Sequence, residues 1–318
     1  MSHFRLRALR CTAIGECMIE LRNAAPGLLA VGHAGDTFNT LYYLNALLRD
    51  SHSRCRYLTA LGDDDFSAAM CAEWQALGID TSLVQIRHGK LPGIYRVSTD
   101  QRGERSFHYW RSDSAARYLM DGIDTQQLLA DLRGEDLLYL SGISLAILPD
   151  DARQSLLGIL HACKRSGQMM AFDDNYRPRL WESVAAARQF VQDALQLADV
   201  ALVSFADQQA LFDDASPQHT ARRIRALGVP EVIVRNGAEP TLVAIAGSVR
   251  EYRSELIANA IDTTGAGDSF NAAYLAARLC DCEPLAAMRA ASQLSARVVS
   301  VPGAILSLSQ VPSLAELL

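Results

Sequence analysis

Hydrophobic and polar positions follow two rhythms along this chain. Cys11 to Leu21 alternates with period two and predicts a strand, with LLAVG from Leu28 pairing against it. Gly35-Asp36 then opens a helical run through Tyr42, Leu44 and Leu47. RYLTALG from Arg56 reads as the next strand. The acidic turn Asp63-Asp64-Asp65 starts an amphipathic helix from Phe66 to Leu77, since acids are favoured at the positive end of a helix. GIYRVST from Gly93, a turn at Asp100 to Gly103, and RSFHYWR from Arg105 predict a hairpin with no helix between its strands. From Ile123 onward strand and helix take turns: DLLYL, a helix over 150–165, QMMAFD, a helix over 181–198, then VALVS. VIVRNGAEPTLVAIAG, from Val232 to Gly247, gives two strands about a glycine turn, and a helix follows from Leu285 to Val299. The alternation predicts βαβ units in an α/β, doubly wound, mostly parallel sheet, whose ligands gather at the carboxyl ends of the strands.

With 318 residues, 49% of them hydrophobic, the chain suffices for a substantial core in one large α/β domain or two small ones, and together with the family resemblance given below a single domain over 1–318 is expected. A net charge of -6 without a long basic run argues against a nucleic-acid surface. The longest apolar run, Leu137 to Leu148, falls short of the roughly 20 residues that a membrane helix needs. Arg5, Arg7 and Arg10 resemble a signal-peptide charge region, but Gly15, Glu16 and Glu20 interrupt the apolar stretch behind them. The seven cysteines show no CxxC pairing, which suits reduced thiols in the cytoplasm. Neither a GxxxxGK[ST] loop nor a GxGxxG after a strand occurs.

The chemistry concentrates in IDTTGAGDSFNAAYLAAR, from Ile261 to Arg278, read as a strand end, a glycine turn and a helix starting near Asp268. Backbone N–H groups of Gly265, Ala266 and Gly267 can crowd one anion at the helix N-terminus. Asp268 beside such a hole repels the anion unless it first takes a proton from an attacking nucleophile, which suggests phosphoryl transfer to an alcohol. The alternative is a tight turn with Asp268 as a cap. Asp36 and Asn39 in AGDTFN suit sugar hydroxyls, or serve as helix cap and helix surface. FDDNYRPRLW, from Phe172, falls at a strand end and presents Asn175, Tyr176 and Arg177 to the crevice, unless Arg177 pairs with Asp173. Arg111 ends the aromatic run of the hairpin, whose Tyr95 and Tyr109 are otherwise ordinary cross-strand partners.

DTTGAGDSF closely resembles the signature of the ribokinase-like sugar kinases, the phosphofructokinase B family. The resemblance implies that Asp268 is the general base and that Gly265, Ala266 and Gly267 form the anion hole. AGDTFN resembles the family's GGDxxN sugar motif with Ala34 in place of one glycine, which implies sugar contacts from Gly35, Asp36 and Asn39. Strands within about 16–34 and 92–111 would form a small β-sheet lid carrying Tyr95, Tyr109 and Arg111. Ser204 and Asp207 stand where the family has NxxE, a departure that leaves Asp207 to hold a magnesium-bound water. The nucleotide side is implied to include Asn175, Arg177, Ser204, Arg235 and Gly237, with Gly265 and Gly267. Asp262 and Thr264 match a monovalent-cation site of some relatives. ATP and Mg²⁺ are the expected cofactors, with K⁺ as a further candidate, and a homo-oligomer, dimer or higher, is expected. GECMIEL, LPGIYRVSTD, GERSFHYWR, YLSGISLAIL and DDNYRPRLW further resemble members acting on 2-keto-3-deoxy sugar acids. Arg111 and Arg177, with Tyr95 and Tyr109, would then read the carboxylate. A fructokinase-like or other sugar kinase, or a catalytically silent sugar-responsive regulator, is the alternative.

Overall fold

A computed structural model describes residues 7–25, 27–99, 105–254 and 260–318. Its strands are β1 (Arg10–Ile14), β2 (Met18–Ala25), β3 (Leu28–Ala34), β4 (Arg54–Leu61), β5 (Val84–Ile86), β6 (Ile94–Thr99), β7 (Arg105–Trp110), β8 (Leu137–Ser141), β9 (Met169–Asp173), β10 (Val200–Ser204), β11 (Glu231–Asn236), β12 (Glu239–Ile245) and β13 (Ser248–Tyr252). Nine of them form one sheet in the order β13-β12-β11-β10-β9-β8-β1-β4-β5, parallel from β5 to β11 and antiparallel at β12 and β13. Both faces are covered, so its central strands are apolar throughout. Ala13, Tyr139, Leu202 and Ile233 pack with the helices Asp36–Leu47, Ala266–Leu279 and Pro284–Val298. Ile14, Leu138, Leu140 and Val203 turn to the opposite face, against Thr125–Leu132, Asp150–Arg165 and Val184–Leu197. The chain runs outward from β1 to β4 and β5, then returns to β8 on the other flank of β1. Connections therefore diverge after β1 and β8, which opens a crevice at their carboxyl ends.

The remaining four strands form a separate sheet, β3-β2-β6-β7, in which β2 and β6 are parallel and β6 and β7 antiparallel. Tyr95 lies opposite Tyr109, their rings stacked with centroids 5.9 Å apart. Tyr95 is buried on Met18, Ala34 and Ala304.

The structure corrects several expected boundaries. Cys11 to Leu21 is two strands in two sheets, because the chain breaks between Ile14 and Met18. Gly15 in that break has no room for a side chain: a Cβ would lie 2.3 Å from Thr37 Oγ1. No strand covers Ile261 to Thr264, and the helix starts at Ala266 rather than near Asp268, capped by Gly265 at φ 75°. Strand β13 and the helices Phe205–Phe212 and Pro217–Ala226 were not anticipated. The turn at 100–103 and Arg5 lie outside the described residues. Among the described residues no helix is long and apolar enough to cross a membrane.

Candidate active site

The Ala266–Leu279 helix sets the geometry. A Cβ on Gly265 would approach Ala304 O to 2.5 Å, so the left-handed turn and the close packing both require glycine there. Ala266 N–H donates to Thr263 O at 3.3 Å, and Ser269 N–H makes the first helical bond to Gly265 O at 2.9 Å. Of the three N–H groups expected at 265–267, that of Ala266 is thereby engaged, while that of Gly265, like that of Gly267, has no acceptor among the described residues. The first-turn N–H groups of Gly267 and Asp268 have no acceptor among the described residues, as a helix start requires.

Asp268 sits in that first turn and faces the Asp36–Leu47 helix. Asn39 Nδ2 donates to Asp268 Oδ2 at 2.7 Å, and Thr40 Oγ1 donates to Asp268 O at 3.3 Å. Burial, reinforced by the negative charge of Asp36, pushes the Asp268 carboxyl up to about 8. Asp36 is the first helical residue rather than the cap, which is Gly35. Its Oδ1 accepts from Thr37 N–H at 2.9 Å and its Oδ2 from Asn175 Nδ2 at 2.7 Å, and burial raises its pKa too. A Cβ on Gly35 would meet Glu16 O at 2.1 Å, so this glycine permits the helix to start against the chain leaving β1.

The ends of β9, β10 and β11 build the other half. Asp173 accepts from Arg235 Nη2 at 2.9 Å and Asn271 Nδ2 at 2.6 Å. Buried Asp174 accepts from Ser204 N–H at 3.1 Å and Gln208 Nε2 at 2.8 Å. The Ser204 hydroxyl caps the Phe205–Phe212 helix, accepting from Asp207 N–H at 3.4 Å. Burial raises the pKa of Asp207, opposed by Arg177, whose Nη1 stands 3.9 Å from Asp207 Oδ1. Among the described residues no three His, Cys, Asp or Glu side chains form a metal cage. A partly exposed Asp207 in the cleft suits a water-mediated contact to a Mg²⁺ held mainly by phosphates.

Every residue expected to serve sugar, nucleotide or proton transfer lines one cleft of about 1630 Å³, whereas Tyr176, expected to face the crevice, is buried in the hydrophobic core instead. Asp262 does not line the cleft: it is buried and accepts from the N–H groups of Thr264 and Gly303, which ties the glycine turn to the 302–304 loop. Arg111, expected to read the carboxylate, is already ion-paired within the protein, its Nη2 bonded to buried Glu16. Arg177 does not pair with Asp173; it donates to Tyr176 O at 3.0 Å and leans toward Asp207. The partner of Asp173 is Arg235. Glu16, Asp173 and Asn271 were missed as site residues. An acid at the end of an apolar run was the available signal for Asp173; Glu16, inside the run read as one strand, and Asn271, inside a helix, gave none.

A half-buried carboxyl of raised pKa, first-turn amides and a strand-end arginine meeting under a small sheet define a phosphotransfer-type cleft. The chain belongs to the pfkB family of carbohydrate kinases, whose family profile matches residues 8–311. It is 40% identical over 306 residues to the 2-dehydro-3-deoxygluconokinase of Dickeya dadantii (strain 3937), covering 94% of this chain and 97% of that one. It is 38% identical over 311 residues to the protein of that name from Escherichia coli (strain K12), covering 96% and 99%. In fold it matches a fructokinase from Vibrio cholerae O395 in its fructose-, ADP- and calcium-bound form, with a TM-score of 0.81, 24% identity and 97% of each chain covered.

Proposed function

We propose that this carbohydrate kinase transfers the γ-phosphoryl group of ATP to the terminal 6-hydroxyl of 2-dehydro-3-deoxy-D-gluconate, releasing ADP. The observation that supports phosphotransfer most is Asp268, a half-buried carboxyl of raised pKa held by Asn39 next to the unpaired amides of the helix start. Asp268 accepts the hydroxyl proton as the sugar oxygen bonds to phosphorus and the bridging oxygen leaves on ADP. Gly267 and Asp268 N–H groups meet the charge on the equatorial oxygens. The small sheet acts as a lid, with Tyr95 and Tyr109 over the sugar and water excluded beneath. Arg111 and Arg177 read the carboxylate end, the first held ready by Glu16.

Likeness over nearly the whole chain to two 2-dehydro-3-deoxygluconokinases supports this substrate. Asp207 would hold Mg²⁺ through water, and the ion would supply charge neutralisation during phosphoryl transfer; the Vibrio fructokinase is described with a bound calcium ion. K⁺ at the Asp262–Thr264 turn is tested by the rate in KCl against choline chloride. Trp110 and Val31, exposed on the small sheet, suit a homo-oligomer. A coupled ADP-release assay across 2-keto-3-deoxy sugar acids and neutral sugars tests the whole reading. Release only with fructose or ribose overturns the substrate, and release with none supports a sugar-responsive regulator.

A further inference from the structure

The bare Gly267 was expected to let phosphate approach the backbone. The structure gives it a different neighbour. A Cβ built on Gly267 would lie 2.3 Å from Arg235 Nη1 and 3.5 Å from its Cζ, with no other heavy atom of the described residues within 4 Å beyond its chain neighbours and its own helix backbone. The guanidinium therefore crosses the first turn of the helix at the point where a side chain would begin. Its far edge is anchored: Nη2 donates to Asp173 Oδ1 at 2.9 Å and to Leu202 O at 3.1 Å. Asp173 is fixed in turn by Asn271 Nδ2 on its other oxygen, at 2.6 Å. Arg235 Nε is buried without an acceptor among the described residues.

This places a cation against the positive end of a helix, an arrangement opposed by the helix dipole. An anion between the guanidinium and the first-turn amides removes the conflict. Resting on the kinase reading above, we propose that Arg235 contacts the transferring phosphoryl group, and that Asp173 and Gly267 are positioning residues for it. Asp173 aims the guanidinium and Gly267 leaves it room. Charge on the equatorial phosphoryl oxygens then meets the amides of Gly267 and Asp268 from one side and Arg235 Nη1 from the other.

The test is a double-mutant cycle of Gly267→Ala and Arg235→Ala, with Asp173→Asn as a further arm. Gly267 is not in the left-handed region, so its backbone accepts alanine. Arg235→Ala is expected to lower kcat about 10²- to 10³-fold with little change in KM for either substrate, the range for losing one such donor. Gly267→Ala should lower kcat by roughly tenfold or more alone, yet by less than about twofold in the Arg235→Ala background, since the added methyl meets nothing else. Asp173→Asn should likewise lose most of its effect in that background.

A binding readout accompanies the rates. ADP with aluminium fluoride and sugar acid mimics the transferring group and should raise Tm in wild type but much less in Arg235→Ala and Gly267→Ala. ADP alone should still raise Tm in all three, which also shows that the variants fold. Equal cost of Gly267→Ala in both backgrounds overturns the proposal in favour of direct backbone approach, and undiminished kcat in Arg235→Ala overturns it outright. If wild type releases no ADP with any sugar, the kinase reading fails instead. If it does so only with a neutral sugar, the same cycle is read with that sugar.

Discussion

Asp268 has to be ionised to accept a proton, yet its surroundings favour the neutral form. With the carboxyl pushed up to about 8, kcat/KM should rise with pH and level off near that value. Asp36→Asn removes the negative neighbour and should move this limb to lower pH, as read from the pH–rate profile. Asp268→Asn keeps the shape but cannot take the proton, so kcat should fall about 10²- to 10⁴-fold. Stability follows the same shift with a definite sign. The folded pKa lies above the ordinary 3.8, so stability carried by the protonated form is complete below about 4 and is lost as pH rises through about 8. Asp268→Asn escapes that loss. Denaturant unfolding at pH 9 should find the variant more stable than wild type, on the order of a few kcal/mol, with the difference shrinking toward pH 4.

At the scale of the element, the Ala266–Leu279 helix owes its position to one glycine. Gly265→Ala forces a left-handed φ on a residue with a Cβ and drives it into Ala304 O. A cost of about 1–3 kcal/mol is expected from the strain alone, seen as a lower Tm, together with lost turnover as the amides and Asp268 shift. Gly267→Ala differs in kind, because its methyl meets a side chain and not backbone, so its Tm should change little. Ser204 caps the Phe205–Phe212 helix and its N–H reaches Asp174. Ser204→Ala should therefore lose about 1 kcal/mol by denaturant unfolding while kcat changes little.

Across the whole molecule, the two sheets meet at a buried ion pair. Glu16 lies between β1 and β2, Arg111 directly follows β7, and both side chains are shielded from solvent. Removing one member leaves a buried charge unpaired, worth about 3–5 kcal/mol. Arg111→Met should lower Tm sharply, and Glu16→Gln added to it should restore much of the loss. That coupling matters for substrate choice. Selectivity for a sugar acid over fructose, measured as the ratio of kcat/KM values, is better tested with Arg177→Leu, whose cation is half-exposed and only loosely paired, 3.9 Å from Asp207 Oδ1. A loss of roughly tens- to hundreds-fold in that ratio is expected if Arg177 reads the carboxylate.

Local patterning determined a good deal of this protein. Period-two and period-3.6 runs reveal most strands and helices, because burial on one face imposes a repeat on the side chains. The run Gly265–Asp268 and the pair Asp36 and Asn39 are legible because their chemistry depends on adjacent residues. Tertiary structure decided what depends on residues far apart in the chain. Alternation through Cys11 to Leu21 could not show that the chain changes sheets at Gly15, since either sheet satisfies the same repeat. Nor could it show that Arg111 is met by Glu16, 95 residues away, or Arg235 by Asp173, 62 residues away. Charges choose partners by distance and burial in space, and those are fixed only when parallel strands bring their carboxyl ends to one crevice.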